Sequence, residues 1–231
     1  MNSPAARAGR VTARASTQRS RVLEAARKCF IDSGFHAASM TDIAATAGMS
    51  VGLIYRYFAN KSAIVNAIID HHLEEGECEL VTGIHSPEDV ARAVLGALDC
   101  WSGADEGQVN AALFLEITAE STRDTHIAAA VRKAEEYMRK SLTEMVRRCA
   151  LADGMKLDAA AVRGRVLVLQ CLIEGLAVRS IREPALDRGA LRAAIEQCVQ
   201  SLMGHGRPHV GGRAQALSVA SAVSPRRARR R

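Results

Sequence analysis

Residues 21–68 read RVLEAARKCFIDSGFHAASMTDIAATAGMSVGLIYRYFANKSAIVNAI. Val22, Ala26, Cys29 and Phe30 recur at spacings of three and four. This gathers them on one side of a helix over 17–33, with Arg19, Arg27 and Lys28 elsewhere on it. Gly34 stands where a helix end needs a left-handed backbone. Ser39 with Asp42 three places on is a capping box that opens a short helix ending at Ala47, before Gly48. Ser50 caps a third helix over 51–58, and Asn60 caps a long one over 61–80. Helices 40–47 and 51–58 are joined by Gly48-Met49-Ser50 and braced by the first helix, which is a helix-turn-helix arrangement. Ala44 allows the two short helices to approach, and Ile43, Ile54, Phe58 and Phe30 supply a small core.

Helical periodicity continues outward from this stretch. Ser86-Pro87 starts a helix to about Trp101, and further helices are predicted over 108–121, 124–151, 158–181 and 187–203. No strand alternation of useful length interrupts them. The predicted fold is all-α: an N-terminal three-helix helix-turn-helix domain followed by a larger C-terminal helical domain. The expected boundaries are a disordered basic arm over 1–16, the helix-turn-helix domain over 17–61, the helical domain over 62–204, and a disordered basic tail over 205–231.

Several classes of function drop out. In 231 residues no apolar run approaches the length of a membrane span, and the N-terminus has no hydrophobic stretch of the secretory kind. The acid-free, Arg/Ser/Thr-rich first residues suit an organellar transit peptide as well as a disordered arm. The six cysteines form no CxxC pair. Those at 29, 149, 171 and 198 fall in apolar helical patterns, as buried free thiols of a reducing cytosol would, while Cys100 beside Trp101 leaves redox sensing open. No Cys/His cluster has metal spacing, and His71-His72 point in different directions from one helix, so no metal is expected. No nucleophile motif or phosphate loop is present, so neither enzymatic activity nor a cofactor is expected.

Charge points toward a polyanion, but only locally. The net charge is +6 and the pI near 9.2. Five arginines and no acid lie in residues 1–21, and seven arginines and no acid in 207–231, while the stretch between is acidic. The first segment suits an arm along a duplex backbone or in its minor groove, or a solubilising tail. The second suits non-specific electrostatics or no role. Within the helix-turn-helix, Tyr55, Tyr57 and Lys61 place two hydroxyls and an ammonium where phosphate oxygens would lie. The tyrosines also suit partial burial with a wet tip. Ser50 and its helix start add backbone donors, and Thr41 is within reach of a phosphate or base edge. Val51, Gly52 and Leu53 lead the third helix without a side-chain hydrogen bond to offer. Apolar contact with thymine methyls, supported by Arg56, is therefore the expected readout. Val51, three and seven residues before Ile54 and Phe58, fits the core as well.

One family carries this combination. Ala25-Ala26, Phe30, Gly34-Phe35, Ser39-Met40, Asp42-Ile43-Ala44, Ala47-Gly48-Met49-Ser50, Gly52, Ile54-Tyr55, Tyr57-Phe58 and Lys61 resemble the DNA-binding domain of the tetracycline-repressor (TetR) family over about residues 17–68. The resemblance implies a bacterial, cytoplasmic, nucleoid-associated homodimer that represses transcription at a palindromic double-stranded DNA operator. A small hydrophobic effector would then release it. It further implies dimerisation through the last two helices, with Val162, Val166, Leu169, Ile173, Leu191, Ile195, Cys198 and Leu202 as candidates. The small residues Ala161, Gly164, Cys171 and Gly175 would permit close approach, and a monomer core is the alternative for this set. An effector pocket is implied between the helices of 86–181, with candidates Trp101, Phe114, Glu116, Glu120, Arg123 and Gln170. The two acids suit either a cationic ligand or the wet rim of an apolar face. A DNA-bound interaction protein acting through a protein partner, without a small ligand, is the competing function, and activation competes with repression.

Overall fold

A computed structural model describes residues 4–76, 83–102 and 110–204. Among them the chain forms α-helices and no strand. They are α1 (Pro4–Ala37), α2 (Met40–Ala47), α3 (Val51–Tyr55), α4 (Lys61–Gly76), α5 (Pro87–Ser102), α6 (Ala111–Ser121), α7 (Thr125–Ala152), α8 (Ala159–Arg182) and α9 (Arg188–Met203). The fold is all-α, with the helix-turn-helix at its N-terminal end. The expected tail over 205–231 lies outside the described residues, as do the end of the helix expected to reach 80 and the predicted break around Gly103 and Gly107.

α1 departs from expectation at its start. Its helix begins at Pro4, where a disordered arm was expected to extend to residue 16. Its last turn is set off by Gly34 at φ 77 and ψ 161, a conformation that any side chain would strain, so the helix path breaks there as the glycine predicts. Side chains cap the later helix starts as well. Asn110, Asp124, Asp158 and Asp187 accept hydrogen bonds from the amides of the first turns of α6, α7, α8 and α9. Ser86 and Asp89 exchange backbone-to-side-chain bonds across the start of α5.

Two hydrophobic cores result. The first unites Val22, Ala26, Phe30, Ile43, Ile54, Phe58, Ile64 and Ile68 of α1–α4 with Leu113 and Ile117 of α6 and Ile127 of α7. It runs through the 61/62 boundary expected between domains. Ser62 Oγ to Asp124 Oδ2 (2.5 Å) and Lys133 Nζ to Asp70 Oδ1 (2.7 Å) tie α4 to α7 on its flank. The second joins α5, the C-terminal half of α7, α8 and α9 around Val94, Leu98, Val146, Val166, Leu169, Leu176, Ile195 and Val199. The long α7 passes from one core to the other.

Candidate nucleic-acid interface

The turn between α2 and α3 is built by local hydrogen bonds. Ser39 Oγ accepts from the Asp42 amide (3.1 Å) while Asp42 Oδ2 accepts from the Ser39 amide (2.9 Å) and hydroxyl (2.6 Å). These bonds hold the Asp42 pKa below its ordinary value. At the other end Gly48 adopts φ 61 and ψ 40, and its amide and that of Met49 return to the carbonyls of Ala45 and Ala44. This is the double closure that left-handed glycine permits. Arg21 Nη2 donates to the Ala47 carbonyl (2.7 Å), covering a further carbonyl at that end. Ser50 Oγ accepts from the Leu53 amide (3.3 Å) and caps α3. The third helix ends at Tyr55, short of the expected Phe58. Arg56 and Tyr57 continue in a tighter turn with amides bonded to Leu53 and Ile54, which lets Phe58 enter the core.

The predicted contact residues separate into two groups on this scaffold. Thr41, Gly52, Tyr55 and Arg56 are exposed, Tyr55 to 53%, and a side chain added at Gly52 would meet open space. Val51 and Tyr57 pack their inner parts against the first core and are half-buried, as is Leu53; both alternatives for Val51 and Tyr57 thus have a share in the geometry. Ser50 is exposed, with its oxygen accepting the capping bond.

Lys61 departs from expectation. Its ammonium donates to the carbonyls of Phe35 (2.5 Å), Ala38 (2.8 Å) and His36 (3.3 Å), and it lies 4.5 Å from the centre of the Phe35 ring. It fastens the start of α4 to the last turn of α1, whose carbonyls have no further helix to accept from. Burial pushes its pKa below the ordinary lysine value, and the charge of Glu120 opposes that shift. Arg19, not singled out from the sequence, lies over the Phe58 ring at 4.6 Å. Its place one turn before Val22 on the same helix was the available signal.

The six effector-pocket candidates are not gathered in one place. Trp101 and Phe114 pack with their rings tilted by 56° and their centres 5.1 Å apart. Trp101 also lines a cavity of about 250 Å³ with Leu98, Asn110, Ala111, Ile181 and Leu186. Gln170 donates to Glu135 Oε2 of α7 (3.3 Å). Arg123 is exposed just past α6 and donates to the Ala119 carbonyl of that helix. Glu116 and Glu120 reach out of the set altogether, to the end of α1: Glu116 Oε2 accepts from the Phe35 amide (2.9 Å), and Glu120 Oε2 meets His36 Nε2 (2.9 Å). Both carboxylates thus have donors from another helix within bonding distance.

The interface candidates are also redistributed. Val162, Val166, Leu169 and Ile195 are buried in the protomer's own second core, and Ile173, Leu191 and Leu202 pack partly against it; of the eight, Cys198 is exposed. The face of α8 left uncovered carries Gly164, Leu167, Val168, Cys171 and Gly175 instead, with Leu167 exposed to 61%. On α9, Ala190, Ala194, Cys198 and Ser201 are exposed. Cys29 and Cys149 are buried free thiols, and burial pushes the Cys149 pKa up. Cys171 and Cys198 are exposed in the protomer, contrary to expectation. The side chains of Cys78 and Cys100 lie outside the described residues. Among the described residues no group of three or more His, Cys, Asp or Glu is placed to hold a metal, and no helix is long and apolar enough to cross a membrane.

Comparisons agree with this architecture. Residues 22–68 match the model of bacterial regulatory proteins of the tetR family, and residues 86–204 match that of the BetI-type transcriptional repressor C-terminal domain. The HTH-type transcriptional regulator UidR of Escherichia coli K12 is 30% identical over 136 residues, which are 58% of this chain and 66%, just under two thirds, of UidR. The structure of Salmonella enterica GusR superposes with a TM-score of 0.67 at 24% identity, over 81% of this chain and 95% of that one. A transcriptional regulator from Saccharomonospora viridis, solved in complex with choline, superposes at 0.63 with 20% identity, over 83% and 97% of the two chains.

Proposed function

Since the chain belongs to the TetR family of DNA-binding transcriptional regulators, and is not an enzyme, we propose that it works as a homodimeric repressor released from a palindromic operator by a small ligand. The observation that carries this is the exposed row Thr41, Gly52, Tyr55 and Arg56 on a helix pair whose ends are capped. Exposed polar groups on such a pair suit a major groove. In this proposal Tyr55 and Thr41 contact phosphates, with the Ser50 backbone and the Tyr57 hydroxyl beside them. Arg56 reads a base edge, while Val51, Gly52 and Leu53 lie close to thymine methyls. Lys61 supports the site from behind. The arginines of the N-terminal helix add sequence-independent attraction.

Dimerisation is assigned to the uncovered faces of α8 and α9. Two-fold symmetry requires a self-complementary patch, and small residues flanking Leu167, Val168 and Cys171 let two helix pairs approach closely. The effector is proposed to be small and largely apolar, entering among α5, α6 and α8, where Trp101, Leu98 and Ile181 meet. The choline held by the Saccharomonospora viridis relative makes organic cations the second class to try. Localisation is proposed to be cytoplasmic, at the nucleoid.

Selection of duplexes from a random pool, followed by anisotropy titration, tests the proposal. The expected product is an inverted repeat bound by two chains, with a thermal-shift hit from a panel of apolar and cationic small molecules that also releases it. An asymmetric site bound by one chain overturns the dimer. Selection without any ligand hit across broad panels favours a DNA-bound protein acting through a protein partner.

A further inference from the structure

Resting on that proposed function, we propose that Glu116 and Glu120 form a two-carboxylate clamp on the last turn of α1, through which α6 sets the position of the recognition helices. They are positioning residues for DNA binding, not a ligand subsite. Three observations converge on the turn Gly34–Ala38. The break at Gly34 leaves the Phe35 amide turned toward α6, where Glu116 Oε2 accepts it. A Cβ at Gly34 would lie 3.4 Å from that same oxygen, an ordinary contact distance, so the carboxylate sits directly against the break that the positive φ reserves for glycine. One helical turn on, Glu120 meets the His36 imidazole although the residue is only 7% exposed.

Glu120 continues the apolar stripe of Leu113 and Ile117, a place where packing alone would favour leucine. Burying a carboxylate there is costly without a donor, and the donor comes from the DNA-binding end of the chain. Lys61 grips the same turn through three of its carbonyls, so both α6 and α4 hold it. The start of α6 adjoins the cavity. Phe114 packs at a tilt against Trp101, and Asn110 and Ala111 line the cavity together with Leu98 of the second core and Ile181 near the end of α8. An α-helix of eleven residues spans about 16 Å as a stiff rod, so a shift at the cavity end is carried to the clamp.

Trp101 is the chain's single tryptophan; it belongs to α5 and packs on Phe114 in the first half of α6. Coupling between sites is reciprocal, so operator binding must register at Trp101 if the clamp transmits. Full-length wild type and Glu116→Ala/Glu120→Ala are each saturated with a duplex selected by the wild type, and Trp101 emission is recorded. Amide hydrogen exchange is followed in parallel without DNA. The clamp predicts an emission change in the wild type that falls by about fivefold or more in the double variant. Glu116→Gln, which keeps an acceptor for the Phe35 amide, retains most of it. Exchange at Phe35 and through residues 40–55 is faster in the double variant, with α8 unchanged.

An undiminished Trp101 change in a folded double variant overturns the clamp, as does wild-type exchange through 40–55. If the wild type selects no duplex, the DNA-binding proposal falls, and the exchange measurement still decides whether α6 and the recognition helices are coupled. If the double variant does not fold, Glu120→Leu, which keeps the apolar packing and removes the acceptor, replaces it in the same two measurements, and the same two results overturn the clamp.

Discussion

Ile54 in α3 and Leu169 in α8 are both fully buried, yet their burial is decided in different ways. Ile54 sits in a five-residue helix with a serine cap before it, a tight turn after it and one apolar side to bury. Leu169 sits in a 24-residue helix with apolar residues on nearly every side, of which Val166, Leu169 and Leu176 turn inward while Leu167, Val168 and Ile181 turn outward. A short amphipathic helix states its orientation locally. A helix apolar all round takes its orientation from whatever packs against it. The larger end of the molecule is accordingly where its inward and outward residues exchange roles relative to expectation.

The widest contrast is therefore on α8. Leu169→Ala should destabilise the protomer by about 2–5 kcal/mol, because it opens a cavity in a packed core. Leu167→Ala should change protomer stability by no more than about 0.5 kcal/mol. Denaturant unfolding of the two variants measures the difference, and equal losses would erase the distinction between the two faces. Leu167→Glu should instead give a monomer of unchanged helix content in sedimentation analysis. A dimer of unaltered affinity would move the interface elsewhere.

At the other end, Arg56→Ala should weaken binding of the selected duplex by about 1–3 kcal/mol and relax discrimination at one base position. Competition titrations with single-base variants measure both effects. Lys61→Met separates contact from support. Losing three carbonyl partners should cost about 1–3 kcal/mol of stability, while the salt dependence of DNA binding stays unchanged. A slope shallower by about one unit would put the ammonium on a phosphate after all.

Ser39→Ala removes half of a reciprocal cap and should cost about 1 kcal/mol, read as a lowered melting temperature. The smallest effect is with pH. The folded-state pKa of Asp42 lies below its ordinary value, so its contribution is present above the unfolded carboxylate pKa and lost as pH falls through the folded one. In Ser39→Ala an NMR titration should find Asp42 closer to the ordinary carboxylate value.

The ease of reading differs between these regions for the same reason. Ser39, Asp42, Gly48 and Ser50 act on backbone groups two to four residues away, so their effect is written in adjacent letters. The bonds from Lys61 to Phe35 and from Glu116 to Phe35 join residues 26 and 81 positions apart, and no local pattern announces them. A lysine beside an aromatic-rich helix suits a phosphate as well as a carbonyl cluster until the end of α1 is brought to it. Glu116 and Glu120 stand out in the sequence as acids on an apolar stripe, but their partners depend on how α6 crosses α1.

The all-helical class, the capped starts of α2 and α3, the helix-turn-helix and the pair Tyr55 and Arg56 are legible in the chain alone. All of these follow from periodicity and from side chains bonding nearby backbone. Folding in three dimensions settled which side of α8 is core, that the helix-turn-helix shares its core with α6 and α7, and that Lys61, Glu116 and Glu120 meet at the end of α1. Those outcomes depend on the packing of distant helices, and burial and charge pairing take their meaning from the neighbour that arrives.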